Sequence, residues 1–305
     1  MVPDAKFTSY YGRPIVKESP WQADIPAYLF LGGLAGASSL LGAGADLSGR
    51  SGLRRSARTT ALAAIGVSFG ALVHDLGRPS RFHHMLRVAK VTSPMSVGTW
   101  ILTLYGPLAG LAALSEQPRL GRLLTGLGRP AGLGAAVLGP AVASYTAVLL
   151  SDTATPTWHD ARDHLPFVFV GSAAAAAGGM GIASTPLRES GPARRMAVAG
   201  AALELAISSR MESTMGLTAE PMRDGRAGRL LQASRALTAG GAVLAVAGSR
   251  SRLASALAGM ALLAGSACTR FGIFHAGQQS ARDPRYTVLP QRARVDAGAA
   301  VRSDC

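Results

Sequence analysis

Apolar and polar positions along this 305-residue chain fall into long blocks, not the fine alternation of a soluble surface. Runs rich in Ala, Leu, Gly and Val, most of them roughly 18 or more residues long, match the length needed to cross ~30 Å of hydrocarbon. Short polar segments divide them. The pattern predicts spans at about 25–45, 59–73, 95–114, 131–150, 165–183, 196–215, 230–248 and 253–274. The expected fold is an all-α polytopic membrane protein with eight transmembrane helices arranged as two four-helix bundles. A polar arm, 1–24, precedes the first bundle, 25–150; the second, 165–274, is followed by a polar tail, 275–305.

Composition sharpens this picture. The chain is 48% hydrophobic and 16% charged, with 37 Gly. Its mean hydropathy is only +0.24, because the spans are built on Ala and Gly and the loops are rich in Arg. The net charge of +14 lacks the aromatic-interleaved basic patch of a nucleic-acid surface. Such loops instead fix topology and meet anionic lipid head groups, so membrane lipids are expected partners and nucleic acid is not. Arg and Lys are spread over both sets of loops, which weighs only slightly toward the odd-numbered loops inside and the termini outside the cytoplasm. The polar N-terminal residues do not read as a cleavable signal. Cys268 and Cys305 make neither a disulfide framework nor a metal site. Glycines four apart, Gly32/Gly36, Gly66/Gly70 and Gly106/Gly110, are expected to serve generic helix contacts, since small residues allow close approach in lipid.

Candidate chemistry gathers at the span ends that lie on the same side as the termini. His74 and Asp75 close the second span, followed by Arg78 and Arg81. An imidazole beside a carboxylate suits proton exchange near neutrality; the plainer alternative is that both pair with those arginines and staple the loop. Tyr145 lies inside the fourth span, where a phenol needs a hydrogen-bond partner. Asp152, Trp158 and His159 follow it. Trp21, Asp24 and Tyr28 open the first span on that face. Glu204 is a carboxylate at membrane depth, so a proton relay stands beside an ion pair with Arg210 or with an arginine of another helix. All six histidines sit at span ends or in loops, so haem held between helices is not expected.

The run His74-Asp75-Leu76-Gly77-Arg78-Pro79-Ser80-Arg81-Phe82, with Ser93-Pro94-Met95-Ser96 and Trp100, resembles the membrane subunit of the NrfD/polysulfide-reductase family. The likeness continues through Ile25 to Gly33, Ser144 to Leu150, Pro156-Thr157-Trp158 and Leu165-Pro166, the span around Glu204, and Gly272 to Gln278. It implies an eight-helix, quinone-binding bacterial inner-membrane anchor for a molybdopterin catalytic subunit, with a four-cluster, ferredoxin-like iron–sulfur subunit between them. The chain would then be a subunit of a quinone-linked oxidoreductase and not a complete enzyme. The resemblance implies menaquinone or ubiquinone held by Tyr145, with His74, Asp75, Asp24 and Tyr28 around it. Glu204, Asp152 and His159 become candidates for a proton path, and Arg78, Arg81 and Trp158 for partner docking. No His stands in the first span, which leaves a decayed site or a purely structural anchor open. The rival class is a secondary transporter or proton channel using Glu204 and Arg210, although no inverted repeat is visible.

Overall fold

The computed structural model describes residues 14–76, 78–124 and 126–293. Gly77 of the His74 motif, Cys305, and the outer parts of the predicted arm and tail lie outside them. The described residues contain no strand. Among the described residues, eight helices of 20 residues or more run back and forth: α1 (Asp24–Leu47), α2 (Ser51–Asp75), α3 (Pro94–Leu114), α4 (Gly128–Ser151), α5 (Leu165–Ser184), α6 (Gly191–Thr214), α7 (Gly225–Ala247) and α8 (Arg252–Arg282). Seven are long and apolar enough to cross a membrane. The exception is α6, which is long enough but carries Arg194, Arg195, Glu204, Arg210 and Glu212.

Local sequence explains several boundaries. Ser93 caps α3 by accepting the Ser96 N–H, with Pro94 at the first helical position, where a missing N–H costs nothing. Gly49 turns α1 into α2 at φ +69°, a conformation that favours glycine. The predicted basic loop before the second span is instead helix, because α2 already begins at Ser51. Glu189 accepts the Gly52 and Leu53 N–H groups at 2.7 and 3.2 Å, covering the exposed donors of that helix start. Arg54 and Arg58 then bond to Asp46 and Glu116, so these cations are neutralised inside the fold instead of facing water. Helix α8 continues past the predicted end at residue 274 to Arg282, and its Gln278 amide donates to the Trp21 carbonyl at 3.1 Å.

Helix α1 packs on α2 and α4, and α3 packs on α4 and more loosely on α2. In the other half α5 packs on α6 and α8, and α7 on α8 and α6. The halves meet where α5 touches α1 and α4, and α8 touches α1. Accordingly α1 is 78% buried over its most apolar stretch and α5 72%, against 28% for α3 and α7 at the periphery.

The three glycine pairs divide. Gly36 and Gly139 bring α1 and α4 into backbone contact, since a Cβ on either would lie 2.3 Å from the other's carbonyl oxygen. Gly66, Gly70 and Gly106 face open space, so the Gly66/Gly70 pair is not a helix contact as expected, and of the Gly106/Gly110 pair only Gly110 meets a neighbouring helix, at Leu62 of α2, 3.9 Å from an added Cβ. Gly36→Leu should therefore cost at least about 1–3 kcal/mol through overpacking against backbone that has nowhere to move. The check is the thermal aggregation midpoint of the purified protein in detergent; an unchanged midpoint would mean that α1 and α4 are not in this contact.

Candidate functional site

At the end of α1–α4 nearest the N-terminus, a cavity is walled by Trp21, Ile25 and Tyr28 from the first helix and its lead-in, and by Leu72, Asp75 and Leu76 from the end of α2. Met95, Thr99 and Leu102 of α3, Tyr145 and Leu149 of α4, and Met85 from the 3-10 segment Pro79–Arg87 complete it. Three distant stretches of sequence converge because neighbouring antiparallel helices bring their same-side ends together.

Tyr145 is 7% exposed, and its hydroxyl has no hydrogen-bond partner among the described residues. Leaving such a group unpaired costs about 1–3 kcal/mol, so a buried phenol opening on a cavity marks a place for an acceptor. The ring is held against α3 by Gly98, where an added Cβ would come within 2.3 Å of it. Sequence reasoning passed over Gly98; a small residue one helical turn into the matched Ser93–Trp100 motif was the available signal. Tyr28 is buried at 2% exposure. Asp75 accepts the Gln22 backbone N–H at 3.5 Å, which ties the N-terminal arm to the cavity rim.

His74 and Asp24 stand at the edge of this site. They are not cavity walls; they pair with each other, Nδ1 to Oδ2, at 2.9 Å, and the imidazole side chain is 79% exposed. Neither His74 nor Asp75 is stapled to Arg78 or Arg81 as the plainer alternative had it; their partners are Asp24 and Gln22. Asp152 and His159 are exposed on the same face, with His159 Nδ1 3.3 Å from the Ser151 carbonyl. Asp152 lies seven residues beyond Tyr145, about 10 Å along the helix axis by its rise. Arg78 and Arg81 are exposed.

Trp158 needs correction as a docking residue. It is fully buried; its indole N–H donates to the Ile273 carbonyl at 2.8 Å, and its ring stacks on Trp21 with centroids 6.0 Å apart. Gly277 leaves the room it occupies. A large ring with a satisfied N–H is here a wedge between α8 and the cavity wall, and it supports the site from behind.

Glu204 lies elsewhere, in the second half, at 2% exposure. Thr269 donates to its Oε1 at 2.5 Å, and Ser234 bonds to Thr269 at 2.5 Å. Its nearby opposite charge is Arg270 of α8, not Arg210, which is exposed. Arg270 is fully buried, donates to the Phe169 carbonyl at 2.8 Å and sits 3.8 Å above the Phe169 ring centroid. Glu204 Oε2 and the Arg270 Nε and Nη1 atoms lack hydrogen-bond partners among the described residues. Sequence reading missed Arg270, which lies mid-helix within an otherwise small and apolar run. A narrow cleft runs from Glu204 past Ser208 to Glu212 and Arg235, which are themselves ion-paired.

A family model described as polysulphide reductase, NrfD, matches residues 15–189. That stretch contains the whole wall of the Tyr145 cavity and stops before α6, so Glu204 and the resemblance beyond it lie outside the match. No curated protein matches the chain.

Proposed function

This chain belongs to the polysulphide reductase NrfD family, and from that premise we propose that it is the quinone-binding membrane subunit of an oxidoreductase complex. The observation that carries the reading is the buried Tyr145 hydroxyl, unpartnered among the described residues, opening on a largely apolar cavity at one end of the bundle. A quinone fits that donor set: its ring needs apolar and aromatic walls, and its carbonyl oxygens need hydrogen-bond donors. When bound, the quinone supplies two-electron, two-proton redox chemistry.

The chain's own residues then have separable tasks. Tyr145 donates its phenol hydrogen bond to one ring oxygen, and Gly98 fixes the angle from which it does so. Trp21, Ile25, Tyr28 and Leu149 exclude water and orient the ring. Asp75 is the carboxylate within the wall that takes or gives a proton at the ring, and the Asp24–His74 pair hands that proton to solvent at the edge. Asp152 and His159 provide an alternative exit on the same face. Arg78 and Arg81 are exposed contacts for an iron–sulfur subunit docked over this face, which would exchange electrons between the quinone and a molybdopterin subunit. Helix α6 makes an eighth crossing, because Glu204 faces Arg270 and hydroxyls instead of lipid. The packing then reads as two four-helix bundles, α1–α4 and α5–α8. The mutual arrangement of Glu204 and Arg270 makes the second bundle a candidate proton path.

Gentle extraction of the full-length chain from its native membrane tests this. Iron and molybdenum in the purified complex, together with quinone recovered by organic extraction, are the expected result. A chain that emerges alone and without quinone would sink the reading and favour the transporter.

A further inference from the structure

The Tyr145 cavity does not end at its own walls. Leu72, Leu76, Met85, Thr99 and Leu102 also line a second space of about 760 Å³ between α2 and α3, almost wholly apolar and containing Phe69, Phe82 and Pro107. Phe69 and Leu102 in turn line a third, of about 620 Å³, with Ile65, Gly66, Ser68 and Gly106. Through these shared lining residues the three spaces, together called the groove, adjoin one another along the α2–α3 seam from Asp75 toward Gly66. Nine residues of helix separate those two, which is about 13–14 Å by helical rise. The groove exists because α2 and α3 pack loosely and because Gly66 and Gly106 put no side chain into it: a Cβ on either would meet nothing within 4 Å. Phe69 is 46% and Phe82 41% exposed, and their rings meet edge to face, 5.7 Å between centroids, over the outer side of the groove.

We propose that this glycine-lined seam carries the isoprenoid tail of the quinone whose ring is held at Tyr145, and that α2 and α3 form the lateral entrance from the bilayer. The inference rests on the quinone reading above and adds the route. The lining has a polar head end, with Tyr145, Asp75 and Thr99, and an apolar continuation between α2 and α3. A prenyl chain has that polarity pattern. Lipid tails and protein side chains are similarly apolar, so the groove adds little attraction; it matters because it lets the ring reach the phenol while the tail stays in hydrocarbon. The Phe82, Met85 and Leu86 side chains of the Pro79–Arg87 segment cover the tail where it passes the head end. This gives the conspicuous motif after His74 a positional task distinct from its charges.

Gly66→Leu/Gly106→Phe fills the groove without a backbone clash, and Gly70→Leu is the control, since its Cβ also meets open space but lines none of the three cavities. The full chain in nanodiscs is titrated with long-tailed menaquinone and with menadione, its tailless headgroup, by quenching of tryptophan fluorescence; Trp21 lies in the cavity wall. The double variant should bind the long-tailed quinone about tenfold or more weakly, a loss of about 1.4 kcal/mol. Menadione affinity, the unfolding midpoint and the Gly70→Leu control should stay at wild-type values. Unchanged affinity for the long-tailed quinone overturns the proposal, including the case where only co-purified phospholipid is lost, which would assign the groove to an acyl chain. An equal loss for both ligands also overturns it. Wild-type protein that binds neither quinone would fail the underlying reading, and is told apart by that first titration.

Discussion

Replacing Tyr145 with phenylalanine is expected to slow quinone-linked electron transfer about ten- to a hundredfold, since one hydrogen bond to the reacting oxygen is worth roughly 1.4–2.7 kcal/mol in a water-poor site. The same change should leave insertion and thermal stability intact. The reason lies in an absence: the phenol makes no hydrogen bond within the described protein, so its removal breaks none. Phenylalanine keeps the ring against Gly98 and the volume of the cavity wall. Steady-state quinol oxidation by the purified complex, compared with its aggregation midpoint, gives both readouts. Normal turnover in the variant would remove Tyr145 from the chemistry and favour the structural anchor whose site has decayed.

Glu204→Leu should be the most damaging of the charge deletions, with a loss of about 3–5 kcal/mol from an uncompensated Arg270 charge at zero exposure. Little folded protein is expected in the membrane. Glu204→Leu/Arg270→Met should recover most of it, because apolar side chains of similar size remove both desolvation costs together. Recovery in the double variant identifies the pair as an electrostatic unit even though the two groups do not make a direct ion pair. Glu204→Gln separates structure from proton transfer. It keeps the Thr269 contact and most of the volume, so a purely structural role predicts near-normal turnover and a proton path predicts slowed turnover or lost proton release. Fluorescence-detected size exclusion for the first two variants and stopped-flow proton release for the third supply the measurements.

Much of the site was legible before any coordinates. His74–Asp75, Tyr145 and the Trp21–Tyr28 stretch could be placed at one face because each lies at or near a span end, and antiparallel helices of similar length bring alternate ends together. Whether the side chains met was another matter. Asp75 walls the cavity while His74 pairs with Asp24 beside it, because adjacent positions point about 100° apart around a helix and sequence alone does not say which of the two faces the partner helices. Trp158 read as a surface aromatic in a polar loop; its burial depends on Gly277, more than a hundred residues away. Arg270 was invisible for the same reason, since only its neighbour across the bundle explains a cation there.

That the chain is a helical membrane protein, where its apolar segments run and which family it joins can all be read from the order of its residues. Hydrocarbon thickness and backbone hydrogen bonding leave few solutions for such a block pattern. How the small residues are used depends on which helices pack together. Gly36 and Gly139 close one seam to backbone contact, while Gly66 and Gly106 leave the α2–α3 seam open further along those helices. Identical residues at similar spacing serve opposite ends because a glycine specifies only the absence of a side chain. What fills that absence is set by the facing helix.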